Sequence, residues 1–212
     1  MSNIDAFSQT LERMNKTRLL MVISGPSGVG KDAVIESLKQ NLQISFCHIT
    51  TVTTREKRAG EINGVHYIYL SRLQFQEKLR KGEFLEWAKV YDNYYGVPRA
   101  QVGDALSSHR LVIIKVDIQG AQFIKSQIPD AIYIFLAPPS KQKLSHRLLK
   151  RGNIARNDLK IRLGKAEQEL AALPDFDYIV ENKEDNLDHA VSKILAIIDA
   201  ELCKVCAREV TL

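Results

Sequence analysis

The sequence predicts an α/β fold, a parallel sheet with helices on both faces, interrupted by a small β-rich insertion. Two observations carry the main prediction. Short apolar runs stand at Leu19–Ser24, Leu111–Val116, Ile132–Leu136 and Tyr178–Glu181. They alternate with helical patterns at Ala33–Asn41, Ala100–Ser107, Lys141–Lys150, Lys160–Leu173 and Leu187–Val205. Apolar runs of that length read as buried strands, and strand–helix alternation builds parallel sheets. A third observation places the insertion. From about Thr51 to Val97 the alternation stops, and the chain is rich in Tyr, Thr, Gly and charge, with short runs such as Val65-His-Tyr-Ile-Tyr-Leu70. That stretch predicts a small antiparallel unit.

The first strand leads into the most informative segment, Gly25-Pro-Ser-Gly-Val-Gly-Lys31-Asp32, with Ala33-Val-Ile-Glu-Ser-Leu-Lys39 opening a helix behind it. A glycine-rich turn between a strand and a helix is the setting of a phosphate-binding P-loop. Gly25, Gly28 and Gly30, with Pro26, Ser27 and Val29 between them, let backbone N–H groups curl around phosphate oxygens. The helix N-terminus adds a partial positive charge and Lys31 a full one. One position departs from the pattern: Asp32 follows the lysine, where a Ser or Thr hydroxyl would reach Mg2+.

The chain has 212 residues, which suits one domain with insertions. At 45% hydrophobic and 26% charged it can bury a substantial core. The net charge of +5 suits anionic ligands, with nucleic acid as the competing reading. Small phosphates are favoured, because the cations concentrate in Thr53-Thr-Arg-Glu-Lys-Arg-Ala-Gly60 and in Lys141–Lys165. No run has the length of a membrane span, and Met1–Arg18 lacks the apolar stretch of a secretory signal. Cys47, Cys203 and Cys206 make no disulfide framework, and Cys203-Lys-Val-Cys206 is a lone CxxC without further ligands nearby, so no metal site is predicted. Reduced thiols point to a cytoplasmic compartment.

Several separated motifs together resemble the guanylate kinase family. Besides the P-loop they are Thr53-Thr-Arg-Glu-Lys-Arg-Ala-Gly-Glu61, Gly64-Val-His-Tyr67, Phe84-Leu-Glu-Trp87, Asn93-Tyr-Tyr-Gly96, Val116-Asp-Ile-Gln-Gly120, Ala137-Pro-Pro-Ser140 and Arg147-Leu-Leu-Lys-Arg-Gly152. The resemblance runs from about Leu19 to Ala200. It implies a P-loop NTPase-type core (1–50, 98–140 and 166–212), a GMP-binding insertion (51–97) and a helical lid (141–165). It also implies the reaction GMP + ATP ⇌ GDP + ADP, with dGMP as a further acceptor and ATP as co-substrate; with Asp32 in place of the hydroxyl residue, Mg2+ is expected to be held mainly through ATP phosphates and water.

The residues suit those roles. Two guanidinium groups, Arg55 and Arg58, with the phenols of Tyr67 and Tyr95, make a clamp for a phosphate dianion. Guanine presents N1–H and N2–H₂ as adjacent donors that one carboxylate accepts together, and the resemblance assigns this reading to Glu86 and Asp117, with the Thr51 hydroxyl at O6. Arg147, Arg151 and Arg162 match lid arginines over the transferring phosphates, where cations and exclusion of water drive phosphoryl transfer. Asn182 matches a residue near adenine. With Lys31 and Arg55, the lid arginines form the expected catalytic set; the P-loop from Gly25 to Asp32 and Asn182 form the ATP site.

The sequence departs from the family in two further places. Val97 stands where a hydroxyl residue follows the glycine of Asn93-Tyr-Tyr-Gly96, which predicts weaker GMP binding by about 0.5–1.5 kcal/mol. Lys115 replaces the first aspartate of an Asp-x-Asp. Asp32 and Lys115 together read as a charge swap across the end of the sheet, which avoids an unpaired buried charge; the alternative is Asp32 as a direct Mg2+ ligand. Similar residues occur in cyanobacterial and plant organellar members. Two other functions compete: a catalytically inactive guanylate-kinase-like module that binds phosphopeptides, and a related P-loop kinase acting on a phosphorylated ribose. Neither a nucleic-acid nor a membrane partner is expected, and the oligomeric state is not legible.

Overall fold

The computed structural model describes residues 17–90, 92–150, 156–183, 186–206, 208 and 210–212. A five-stranded sheet forms the centre, from β1 (Leu19–Ser24), β2 (Phe46–His48), β7 (Leu111–Lys115), β8 (Ile132–Ala137) and β9 (Tyr178–Glu181), in the order β2-β7-β1-β8-β9. Every pairing in it is parallel. Parallel strands need crossovers, and helices supply them: α1 (Lys31–Asn41), α3 (Arg99–Ser108) and α4 (Ile118–Gln127), with α5 (Lys141–Lys150) and α6 (Arg156–Leu170) between β8 and β9; α7 (Leu187–Leu202) follows the last strand and packs back on the sheet.

Strand β1 shows why both faces are covered. All six of its residues are buried, and successive side chains point to opposite faces. Leu19, Met21 and Ile23 pack with Val34, Ile35 and Leu38 of α1 and with Ile194 and Ile198 of α7. Leu20 and Val22 pack with Val102 of α3 and Ile124 of α4. β1 is thus apolar from Leu19 to Ile23 because it has no solvent face.

A second sheet holds β3 (Val52–Thr53), β4 (Ile68–Tyr69), β5 (Phe84–Val90) and β6 (Asn93–Pro98), in the order β4-β3-β6-β5. It is mixed where the sequence predicts an antiparallel unit: β3 runs parallel to β4, while β3–β6 and β5–β6 are antiparallel. The long loop 54–67 carries the chain round, so that β4 re-enters in the direction of β3. The insertion also contains α2 (Arg72–Arg80), capped by a reciprocal pair in which Gln74 N donates to Ser71 Oγ and Ser71 N to the Gln74 side chain. Phe75 is the one residue that α2 buries fully, stacked on Phe84 with ring centroids 4.5 Å apart.

The predicted helix Lys160–Leu173 starts earlier, at Arg156, and ends at Leu170 before a 3-10 turn, Leu173–Asp175. The last helix stops at Leu202, short of Val205. Cys47 is half-buried, Cys203 and Cys206 are exposed, and all three are free thiols. Glu201 is buried and anchored by Arg208, Lys204 and Tyr178, whose hydroxyl donates to Glu201 Oε1 at 2.6 Å. Against the cost of burial, these bonds hold the Glu201 carboxyl down to about 2. Among the described residues no helix is long and apolar enough to cross a membrane.

Candidate active site

The carboxyl ends of β1 and β7 open onto a cavity of about 540 Å³, lined by the P-loop on one side and the insertion on the other. Ligands of open parallel sheets sit at this end. Residues 25–30 leave β1 in a tight curl. Gly25 has φ 143°, and a Cβ there would lie 2.2 Å from the Leu136 carbonyl oxygen of the neighbouring strand, so only glycine fits. Lys31, the first residue of α1, folds back over the loop, donating to Gly25 O at 2.5 Å and Pro26 O at 3.3 Å. Burial lowers its pKa to about 8, with Asp32, Glu169 and Asp117 nearby opposing the shift. An ammonium short of solvation, at the start of a helix behind a glycine-rich loop, suits a polyphosphate.

Across the cavity, loop 54–67 presents Arg55, Arg58 and Tyr67, and β6 presents Tyr95; all four line the wall. Glu61 organises them. Its carboxylate accepts from Arg55 Nη2 at 2.7 Å, from the Arg58 backbone N at 2.8 Å and from the Tyr69 hydroxyl at 2.6 Å. These bonds overcome the cost of burial and pull its carboxyl down to about 2. The Arg55 guanidinium also lies 5.3 Å from the centre of the Tyr67 ring, which meets Tyr95 edge-on at 6.2 Å. Removing charge-assisted bonds of this kind costs about 1.5–3 kcal/mol each. Glu61→Ala is therefore expected to raise KM for the acceptor at least about tenfold with a smaller change in kcat, measured by steady-state kinetics.

β5 carries the floor. Its register shifts between Phe84 and Glu86, and beyond the irregularity Glu86, Ala88 and Val90 line the cavity while Trp87 and Lys89 are exposed. Glu86 is 3% exposed and has no hydrogen-bond partner among the described residues. Burial, with Asp117 nearby, pushes its carboxyl up to about 8. Gly120 leaves its space: a Cβ there would lie 2.7 Å from Glu86 Oε1. Asp117 caps α4, accepting from Gly120 N at 2.9 Å, while its Oδ2 is buried without a partner. Two acidic side chains with unused acceptor atoms thus face one polar pocket. The Thr51 hydroxyl, also on the wall, donates to Lys115 O at 3.3 Å.

Lys115 ends β7 beside Ile23 of β1. Its Nζ stands 2.5 Å from Asp32 Oδ1, the pair expected from the charge swap, with the lysine 7% and the aspartate 54% exposed.

The chain matches the guanylate kinase family model over residues 16–201. A guanylate kinase from Syntrophomonas wolfei is 42% identical over 195 residues, covering 91% of this chain and 97% of that protein. One from Caldanaerobacter subterraneus is 40% identical over 91% of this chain and 92% of its own length.

The chain belongs to the guanylate kinase family.

A crystal structure of guanylate kinase from Anaplasma phagocytophilum shares 27% identity and superposes with a TM-score of 0.73 over 91% of this chain and 90% of that one. The architecture of the family member described here is therefore a family architecture.

Its site residues are not all where the motifs suggest. Lys31, Arg55, Arg58, Thr51, Tyr67, Glu86, Tyr95, Asp117 and the P-loop from Gly25 to Asp32 come together in one cavity. Arg147 does not line it. It lies outside the P-loop, donating to Val29 O and Asn182 O at 2.9 Å each, in a second, smaller pocket with Gly30, Lys150 and Asn182. Asn182 bonds Val29 O through Nδ2 at 2.8 Å and keeps a buried, unpartnered Oδ1. Arg151 and the side chain of Arg162 lie outside the described residues. Val97 is fully buried among Leu20, Val22, Ile49 and Leu85, and does not line the cavity; its chemistry there is packing.

Two wall residues escape motif reading: Lys165 and Glu169 of α6. They stand four residues apart, so one helix face carries both. Burial raises the Glu169 carboxyl, opposed by Lys31 and Lys165.

Proposed function

We propose that this cavity transfers the γ-phosphoryl group of ATP to GMP, the reaction of its family, through the residues that line it. The observation that carries the reading is Glu86, a buried carboxylate without a partner, standing between a phosphate-binding loop and a two-arginine clamp. A guanine ring offering N1–H and N2–H₂ supplies the donors that Glu86 lacks, and Asp117 and Thr51 extend the reading. An adenine edge offers the wrong pattern, leaving Glu86 buried and unpaired.

The P-loop amides and Lys31 hold the donor phosphates, and the second pocket with Asn182 takes the nucleoside end of ATP. Arg55, Arg58, Tyr67 and Tyr95 hold the acceptor phosphate, already an anionic nucleophile that needs no general base. The P–O bond to the β-phosphate breaks as the bond to a GMP phosphate oxygen forms. Residues of 141–165, including Arg151 and Arg162, close as a lid over the core and the insertion 51–97, adding cations and excluding water. Arg147 reaches the phosphates only if it leaves the Val29 and Asn182 carbonyls, so its role is tied to that closure.

The protein's own oxygens suit Mg2+ carried by the nucleotide rather than a cage of side chains. Among the described residues no group of three or more His, Cys, Asp or Glu is placed to hold a metal. Asp32 is engaged with Lys115, and Asp117 has one unused oxygen. With that oxygen given to guanine, Asp32, half-exposed beside Lys115, would hold the ion through its waters, a coordination this ion favours. When bound with ATP it neutralises charge on the phosphate oxygens.

Isothermal titration with GMP and with AMP tests the assignment. GMP is expected to bind at least about 10²-fold tighter, since an unmet buried acceptor penalises the wrong base; equal affinities would contradict it.

A further inference from the structure

We propose that Lys115 contacts the phosphates in this enzyme, as a fixed cation at the junction of the donor and acceptor sites. The inference rests on the kinase reading above and goes further than the charge pairing with Asp32.

Three observations place the ammonium there. Lys115 lies at the carboxyl end of β7, next to the strand that feeds the P-loop, and its side chain is 7% exposed yet lines the cavity. Its Nζ touches both sides at once: Asp32 Oδ1 at 2.5 Å on the P-loop helix, and the face of Tyr67, 4.3 Å from the ring centre, on the acceptor clamp. The contacts of the two other cations nearest the phosphate sites each fall on one wall. Lys31 bonds only P-loop carbonyls, and Arg55 is turned toward Glu61 and Tyr67.

An ammonium has three donors. Asp32 and Tyr67 account for two, and the cavity side can take a phosphate oxygen. A lysine used only to neutralise Asp32 would not need burial, because Asp32 is half-exposed and open to solvent. Burial makes sense if the charge must be presented dry to another anion, where a fixed cation is worth most. Asp32 then holds the ammonium in place while the site is empty.

The test compares Lys115→Met, Asp32→Asn and the double variant with the wild-type chain, using Mg-ATP and GMP. The double variant removes both charges and leaves no buried ion unpaired, so it is the safe one for folding. If Lys115 contacts phosphate, Lys115→Met and the double variant both lose about 10²-fold or more in kcat/KM for GMP, the usual cost of one positioned donor. The 31P resonance of GMP bound to the double variant then differs from that of GMP bound to Asp32→Asn. If Lys115 serves only to balance Asp32, the double variant recovers at least tenfold over Lys115→Met, or its bound GMP gives the 31P signal of Asp32→Asn; either result overturns the proposal. Absence of GMP turnover in the wild-type chain would instead sink the kinase reading itself.

Discussion

Replacing Glu86 with Gln is expected to lower kcat/KM for GMP by about 10²–10⁴-fold, because two charge-assisted hydrogen bonds of roughly 1.5–3 kcal/mol each are lost or inverted. KM for ATP should hardly move, since Glu86 lies on the insertion side of the cavity. The empty protein responds in the opposite direction. The Glu86 carboxyl is raised to about 8 in the folded chain, so its ionised form destabilises the fold at pH values above its ordinary range. Glu86→Gln should therefore raise Tm, by more at pH 9 than at pH 5, and thermal scans at the two pH values check this. The same sign sets binding. Guanine binds the ionised carboxylate, so GMP uptake releases a proton below about pH 8, and KM for GMP falls as pH rises toward that value. A flat KM from pH 6 to 8 would contradict it.

Lys31→Met is expected to abolish measurable turnover, a loss of about 10³-fold or more, because it removes the one full positive charge on the P-loop from an unsolvated site. Its linkage runs the other way from that of Glu86. Burial has lowered Lys31 to about 8, and phosphates favour its charged form. KM for ATP should then be steady below pH 8 and rise above it, while KM for GMP improves up to the same region. In initial-rate profiles the two substrates thus bracket one optimum near pH 8. Loss of that opposition in Glu86→Gln, with the ATP limb retained, would assign each limb to its residue.

Much of this site was legible in the chain because its chemistry is local. Gly25 to Gly30 sit between a strand and a helix in sequence as in space, with Lys31 and Asp32 opening that helix, and Arg55, Arg58 and Glu61 share one loop. The Asp32–Lys115 pair was legible through charge, since two departures of opposite sign at the ends of neighbouring elements need one another. Elements that depend on tertiary cover were less visible. Helix α2 buries only Phe75 fully and shows itself chiefly by its Ser71–Gln74 cap. Helix α4 begins at a motif whose glycine, Gly120, weakens the helical pattern, yet is needed to clear Glu86. Strand β2 is three half-buried residues on a sheet edge, too short for periodicity to mark. Arg147 illustrates the reverse limit: its motif gives the residue type, but its carbonyl partners on Val29 and Asn182 come from the fold alone.

The most direct measurement is a coupled assay of ADP release with Mg-ATP and each nucleoside monophosphate in turn, run beside Lys31→Met. Turnover confined to GMP and dGMP, and abolished in the variant, is the predicted result. Comparable turnover of AMP, or ADP release that survives loss of Lys31, would contradict the account.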